Sequence, residues 1–259
     1  MNGEESLNKW EKLVKKQLKT DDIYSHLSKE NLEGLTVMPF YGPNGKPSAN
    51  LPKTEESTLL VGNFSNRNDE NVFAFLASEP AEDVPGKTIF LTEKLLSDNP
   101  ENRYISLIDV FDEDQKILNA GVANDLLASD FGRKLCVEVA LHQNAGAAIF
   151  QQLGIALAKA HELTEHFGEE IIPKLVFRIA IGSNYFFEIA KIRALKLLVN
   201  QWSKEFGLNE VPYIFAETSH RNKTLNDPES NLIRSSLELA AGMISGTDAI
   251  YTHDYLVEN

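Results

Sequence analysis

The sequence predicts an α/β fold with a parallel sheet closed into a barrel, and three observations predict it. Eight runs rich in β-branched and aromatic residues recur between Leu59 and Tyr255, with ends marked by Gly, Pro, Asn or Asp. Beyond the fourth run, long stretches with apolar residues at helical spacing separate one run from the next, which calls for right-handed crossovers between parallel strands. The later runs also alternate. In Leu135 to His142 one face is Leu, Val, Val, Leu and the other is Cys136, Glu138, Ala140 and His142. A large aliphatic face belongs under helices, and a smaller mixed face belongs in a crowded barrel centre.

Each element follows in order. Leu7, Trp10, Leu13, Val14 and Leu18 lie close to helical spacing, so Leu7 to Leu18 reads as a short amphipathic helix. It is too short to stand alone and must pack on its own barrel or on another chain. Pro39 to Lys53 carries four prolines and two glycines, a linker or wrapping arm. The strand runs are Leu59 to Phe64, Val72 to Ala77, Thr88 to Thr92, Tyr104 to Val110, Leu135 to Leu141, Leu175 to Ile181, Tyr213 to Thr218 and Ala249 to Tyr255. Helical patterns cover Ala145 to Leu163, Phe186 to Phe206 and Asn231 to Ile244.

Between Leu59 and Val110 the connections leave almost no room for helices, although parallel neighbours ordinarily need crossovers of about a dozen residues. Asn259 follows the last run almost directly and leaves nothing for a closing helix. The expectation is a TIM-type (β/α)8 barrel over residues 54–259, degenerate in its first half and lacking a closing C-terminal helix, with uncovered apolar surface. Residues 1–53 would form an N-terminal helix and arm.

Composition narrows the function. A formal charge of -13 works against a phosphate backbone, so nucleic acid is not an expected partner. No run approaches the roughly 20 apolar residues of a membrane helix, and Met1 to Lys19 is charged with no apolar signal core, so a cytoplasmic chain is expected. Cys136 is the only cysteine; it sits in an apolar run and reads as a buried, inert thiol.

No Gly-rich phosphate loop is present, and the six histidines show no paired-ligand spacing, so no metal site is expected. Glu138 and Arg178 would point inward from neighbouring strands and meet as a structural ion pair, because either alone would carry a heavy desolvation cost. Catalysis on a barrel sits at the C-terminal strand ends. That rule marks His142, Gln143 and Asn144, then Ser183, Asn184 and Tyr185, then Glu217, Thr218, Ser219 and His220, and last His253 with Asp254. A His and a Glu facing one pocket could do acid–base work. Asn144, Ser183 and Asn184, standing before helical patterns, serve equally as N-caps. His142 and His220 have no visible orienting partner and read as ordinary loop histidines.

At this point a resemblance enters. His142-Gln-Asn-Ala-Gly-Ala147, with Gln151-Gln152-Leu and Ala156-Leu-Ala158 behind it, resembles the segment of the methylmalonyl-CoA mutase family in which an Ala-Gly-Ala turn opens the helix after the fifth strand. Gly182-Ser-Asn-Tyr-Phe-Phe-Glu-Ile-Ala-Lys-Ile-Arg-Ala194 is similar to the family's next helix, Phe-x-Glu-x-Ala-Lys-x-Arg-Ala. Ala216-Glu-Thr-Ser, Asn222-Lys-Thr224, Asp227-Pro228, Asn231-Leu-Ile-Arg234 and Gly246-Thr-Asp248 complete the series, and the Glu-Thr-Ser-x-x-Asn-Lys-Thr form is that of small subunits. The resemblance covers Leu135 to Asp254, with weaker echoes of a small-subunit arm at Trp10 and Val37 to Tyr41.

The departures decide what the resemblance implies. Active subunits carry a Tyr-His pair before the Ala-Gly-Ala turn, and aligned on Ala145 those positions are Ala140 and Leu141. His142 is one residue off, which in a strand turns the side chain to the opposite face. Where active subunits have Thr-Gln-Thr, this chain has Ala216-Glu-Thr, and a carboxylate at 217 is unfavourable near a polyanionic CoA ester unless Glu217 is protonated. The cobalamin motif Asp-x-His-x-x-Gly is missing from these residues. The resemblance therefore implies a small subunit with no catalytic residues, paired with a catalytic large subunit that binds adenosylcobalamin, or pairing with itself in isolation. Two other readings remain open: a CoA-thioester-binding or mutase-competent barrel with Asn144, Glu217, His220, Asn231 and Arg234 lining the pocket, and an unrelated barrel hydrolase or lyase using His142 and Glu217.

Overall fold

The computed structural model of the protein describes residues 3–41, 57–66, 69–79, 86–93, 103–112 and 118–256. They fall into two compact units, Met1–Asn50 and Leu51–Asn259.

The first unit is built from short local elements. Helix α1, Gly3–Leu18, has Glu4 and Glu5 in its first turn and Lys15 and Lys16 in its last, each charge opposing the dipole end it sits on. Asp22 caps α2, Ile23–Leu27, by accepting from the Ser25 amide at 3.2 Å. A two-residue antiparallel ladder follows, β1, Lys29–Glu30, with β2, Thr36–Val37, its turn eased by Gly34 at φ 69°. The Trp10 ring lies 5.4 Å from that of Phe40 and 6.3 Å from that of Tyr24, whose hydroxyl donates to Glu11 at 2.6 Å. A unit this small buries little, and Leu13, Leu32, Leu35 and Tyr41 stay exposed. The elements α2, β1 and β2 were not expected. The proline-rich stretch from Gly42 to Lys53 lies outside the described residues.

The second unit holds all eight expected strands: β3, Leu59–Asn63; β4, Ala74–Ala77; β5, Thr88–Leu91; β6, Arg103–Ser106; β7, Leu135–Glu138; β8, Leu175–Ile181; β9, Tyr213–Thr218; and β10, Ala249–Tyr251. They pair in parallel in the order β6-β5-β4-β3-β10-β9-β8-β7. Two isolated parallel bridges, Ile105 to Arg133 and Asp109 to Cys136, bring the outer strands β6 and β7 together and nearly close the ring. The result is a TIM-type barrel, as the strand runs predict.

The alternation sorts two cores. Val61, Ala74, Phe90, Ile105, Leu107, Cys136, Val176, Tyr213, Phe215 and Ala249 form one buried cluster inside the ring, where the Phe90 and Phe215 rings meet at 4.8 Å. The alternate positions, Phe75, Ile89, Leu91, Leu135, Val137, Phe177, Ile179, Ile181, Ile214 and Ile250, pack outward with the helices. Those helices are α3, Ala120–Ala128; α4, Ala140–Asn144; α5, Ile149–Phe167; α6, Tyr185–Glu205; and α7, Pro228–Ser245.

Helical cover is uneven. From β3 to β6 the described residues hold only one 3-10 turn, Phe64–Asn66, and none of them forms a helix after β10. Leu60 on β3, the register partner of Ile250, is 57% exposed. On α7 the solvent side carries Leu232, Ile233, Leu237, Met243 and Ile244, all at least 46% exposed. The expected uncovered apolar surface is therefore present, concentrated along α7 and β3.

Candidate functional site

The mouth of the barrel is where the strand ends converge, and its charged groups face one another. Arg178 on β8 donates from Nε and Nη2 to Glu217 Oε2 on β9, at 3.0 and 2.8 Å. Its Nη1 lies 3.3 Å from Glu138 Oε2 on β7. Both carboxylates are buried, and a guanidinium with several donors is the side chain that can satisfy two of them at once. Burial pushes the Glu138 carboxyl above its ordinary range despite the pull of Arg178. Burial also works against ionisation of Glu217, but His253 and Arg178 outweigh it and hold that carboxyl below its ordinary range. Burial opposes the charge on Arg178 as well, yet the two carboxylates keep it firmly protonated.

His253, just past β10, extends this line outward. Its Nε2 lies 3.6 Å from Glu217 Oε2, too far for a hydrogen bond, and its ring stacks on His220 with centroids 3.9 Å apart. Tyr251 meets the other side of His253 edge-on at 5.0 Å. Burial and the neighbouring His253 lower the pKa of His220.

A second polar group lies beneath the helices. Lys191 on α6 donates from Nζ to Gln143 Oε1, Gln152 Oε1 and the Ala180 carbonyl at 2.7 to 3.0 Å, and pairs with Glu188 at 2.5 Å. Gly182 gives this group room, because a Cβ there would come within 2.8 Å of Gln143 Nε2 and 3.1 Å of Glu188 Oε1 and the two side chains would have to shift. Lys159 on α5 donates to the Glu138 carbonyl at 2.9 Å and lies 4.0 Å from Asp109.

The anticipated residues take mixed places. Glu138 and Arg178 do meet, but the closer partner of Arg178 is Glu217. Glu217 is thus an ionised carboxylate already bonded, and neither a protonated ligand for a thioester nor a free base. Asn144 ends α4 and starts no helix, so it is no N-cap; its Oδ1 accepts from Ser219 Oγ at 3.1 Å, the His220 amide at 3.1 Å and the Arg221 amide at 3.4 Å, fastening the loop after β9. Asn184 occupies the N-cap position of α6 without a side-chain capping bond, and Ser183 beside it is exposed.

Asn231 is fully buried and uses all four of its hydrogen-bonding positions, with the Thr224 amide and carbonyl, the Tyr255 carbonyl and Arg234 Nη1. It therefore has nothing left for a pocket ligand, and Arg234 is tied to it. His220 is exposed and, against expectation, has an orienting neighbour in His253. His142 lies on α4 with Nε2 buried and unpartnered, its pKa lowered by burial and then by Lys159.

The register argument for position 141 needs correction. Strand β7 ends at Glu138, and Ala140–Asn144 is helical, the Leu141 amide donating to Glu138 Oε1 at 3.0 Å. A one-residue offset there rotates a side chain by about 100° and does not flip it between faces. Leu141 is 49% exposed at the mouth, and a hydrocarbon can neither donate nor take a proton wherever it points.

His253 was among the strand-end candidates, whereas Tyr251, which packs edge-on against it, was not singled out. The signal for His253 was its two-residue step past Tyr251, which keeps it on the inward face. Among the described residues no group of three or more His, Cys, Asp or Glu is arranged to hold a metal ion, and no helix is long and apolar enough to cross a membrane.

Comparison with known proteins matches the same half of the chain. Residues 133–255 fit the family model for Methylmalonyl-CoA mutase. The methylmalonyl-CoA mutase small subunit of Porphyromonas gingivalis is 40% identical over 129 residues, 46% of this chain and 21% of that protein. The small subunit from Streptomyces virginiae is 29% identical over 129 residues, again 46% of this chain and 20% of the relative. The Porphyromonas gingivalis large subunit is 35% identical over 85 residues, 31% of this chain and 12% of the relative. The matched stretch thus spans about a fifth of the length of the small subunits. It begins just before β7 and takes in β8 to β10 with α4 to α7, the part of the barrel that carries the ordered motifs. Residues 133–255 are thus similar to the methylmalonyl-CoA mutase family, and to its small subunits among the relatives compared.

Proposed function

We propose that this barrel is the non-catalytic small subunit of a heterodimeric methylmalonyl-CoA mutase, with isomerisation of (R)-methylmalonyl-CoA and succinyl-CoA carried by a large subunit that binds adenosylcobalamin. One observation carries the reading. The charged groups at the mouth satisfy one another, Arg178 between Glu138 and Glu217, over an axis filled by Phe90, Phe215, Ile105 and Leu107. A substrate carboxylate or thioester would find no free guanidinium in that cluster, and Leu141 stands at the position aligned with the family's imidazole.

The described residues do not fit adenosylcobalamin. At the mouth the two imidazoles are stacked against each other, and His142 Nε2 is buried. No reaction step is assigned to this chain.

The surface supports the assembly. Contiguous apolar area of the kind exposed along α7 marks interaction sites on soluble proteins. The first unit likewise leaves Leu13, Leu32 and Leu35 for a partner to cover.

Co-expression with the large subunit from the same cells tests the reading. The two chains should co-purify, and the double substitution Ile233→Glu with Leu237→Glu should weaken the complex at least tenfold without lowering the thermal midpoint of the isolated chain. Calorimetry of the isolated chain with methylmalonyl-CoA should give no binding heat at millimolar ligand. A well-behaved monomer with no affinity for the large subunit, or saturable heat with the thioester, refutes the proposal.

A further inference from the structure

The stacked imidazoles at the mouth are not used by the assembly reading, and their surroundings give them a role of their own. The segment from Thr252 to Leu256 follows β10 and is held at three points. The His253 amide donates to Thr218 Oγ1 at 3.0 Å, the Tyr255 carbonyl accepts from Asn231 Nδ2 at 3.0 Å, and the His253 ring rests on His220 at 3.9 Å. From this geometry we infer that the His220 and His253 pair is a proton-operated latch, closed while it carries at most one proton and released when it carries two.

Charged and polar groups face the pair from every element around it. From β9 comes Glu217, with Oε2 3.6 Å from His253 Nε2; behind it, from β8 and β7, come Arg178 and Glu138. Tyr251 of β10 abuts His253, Lys223 in the loop after β9 acts on His220, and Asp254 belongs to the segment itself. His253 Nε2 is buried, lacks a hydrogen-bond partner and faces Glu217 Oε2 at 3.6 Å, so a proton carried on that nitrogen points at a carboxylate and favours the closed form.

A second proton has to enter His220 beside an imidazolium; Lys223, itself paired with Glu238 of α7, and Arg178 oppose it, while Glu217 favours it without outweighing them. Although the residue is exposed, partial desolvation of its ring disfavours it further. In the closed form His220 therefore holds its proton less tightly than the ordinary histidine value of about 6.5, whereas in the released form it titrates normally. The closed form is unaffected above that value and loses stability as pH falls through it toward the lower one. Release uncovers Glu217 and Arg178 to solvent.

Amide hydrogen exchange at pH 7.5 and pH 5.0, corrected for intrinsic rates, reads the latch directly. The His253 amide should lose at least tenfold protection at pH 5.0, while the core amide of Ile214, bonded to Asp248 at 2.7 Å, keeps its own. His220→Gln removes the second charge and should keep the His253 amide protected at both pH values. Unchanged protection in the wild-type chain, equal loss in His220→Gln, or loss at Ile214 alongside His253 would each overturn the inference.

Discussion

Replacing Arg178 with methionine tests the mouth most sharply, because it keeps the volume and removes the one guanidinium that serves two buried carboxylates. Breaking a buried pair by deleting one partner costs about 3–5 kcal/mol. Protonation sets an independent limit for each of the two stranded carboxylates. Stranded Glu217 can escape its desolvation cost by taking a proton, and at pH 7 that costs about 1.36 kcal/mol for each unit above an ordinary glutamate pKa of about 4.3, or about 3.7 kcal/mol. At pH 5 the same escape costs only about 1 kcal/mol.

Urea unfolding followed by circular dichroism should therefore show Arg178→Met destabilised by about 3–5 kcal/mol at pH 7 and by about 1–2 kcal/mol at pH 5. Adding Glu217→Gln to Arg178→Met removes one stranded charge and should recover a large part of the loss at pH 7. A loss below about 1 kcal/mol at pH 7, or an equal loss at both pH values, would refute the claim that Arg178 neutralises these carboxylates.

Two further outcomes follow from single contacts. Asn144→Ala strands the Ser219 hydroxyl and the His220 amide in the loop after β9, while the Arg221 amide keeps Ser219 Oγ at 3.2 Å, so stability should fall by about 1–2 kcal/mol and the His220 amide should exchange faster; unchanged exchange would mean the loop holds itself. Gly242→Ala places a Cβ against Ile250 Cδ1, so the Ile250 side chain has to move off its packing or α7 has to shift, at a cost of about 1–3 kcal/mol. Thermal melts of Gly242→Ala with Ile250→Val, which removes that methyl, should return part of the loss, and no recovery would place the strain elsewhere.

The barrel was legible in the sequence because its strands carry two signals at once. Val176, Arg178 and Ala180 alternate with Phe177, Ile179 and Ile181, and burial on both faces selects that pattern residue by residue. Boundaries were less legible. The run from Leu135 keeps its apolar rhythm through Leu141, yet the chain turns helical at Ala140, since a short apolar run is compatible with either state. Helix α7 begins at Pro228 behind the cap Asp227, whose side chain accepts from the Ser230 amide at 3.3 Å, three residues ahead of the periodic apolar positions. The inward pointing of Glu138 and Arg178 was readable from parity. The preference of Arg178 for Glu217 was not, because it depends on the stagger between strands, which pairs Arg178 with Phe215 and Ala180 with Glu217.

The two ways this hoop is joined are unequal. At β10 and β3 the join is a continuous ladder reinforced by Thr58 Oγ1 donating to the Thr247 carbonyl at 2.6 Å, stitching together residues nearly the whole domain apart in sequence. At β6 and β7 the join is a clasp of isolated bridges, with the Ser106 amide donating to Arg133 and the Gly132 amide to Tyr104. A ring with one welded seam and one clasp yields at the clasp. The side where the helix-poor strands meet β7 is therefore expected to open at lower free energy than the wall beneath α5 to α7, and amide exchange should be faster at Ser106 than at Ile214.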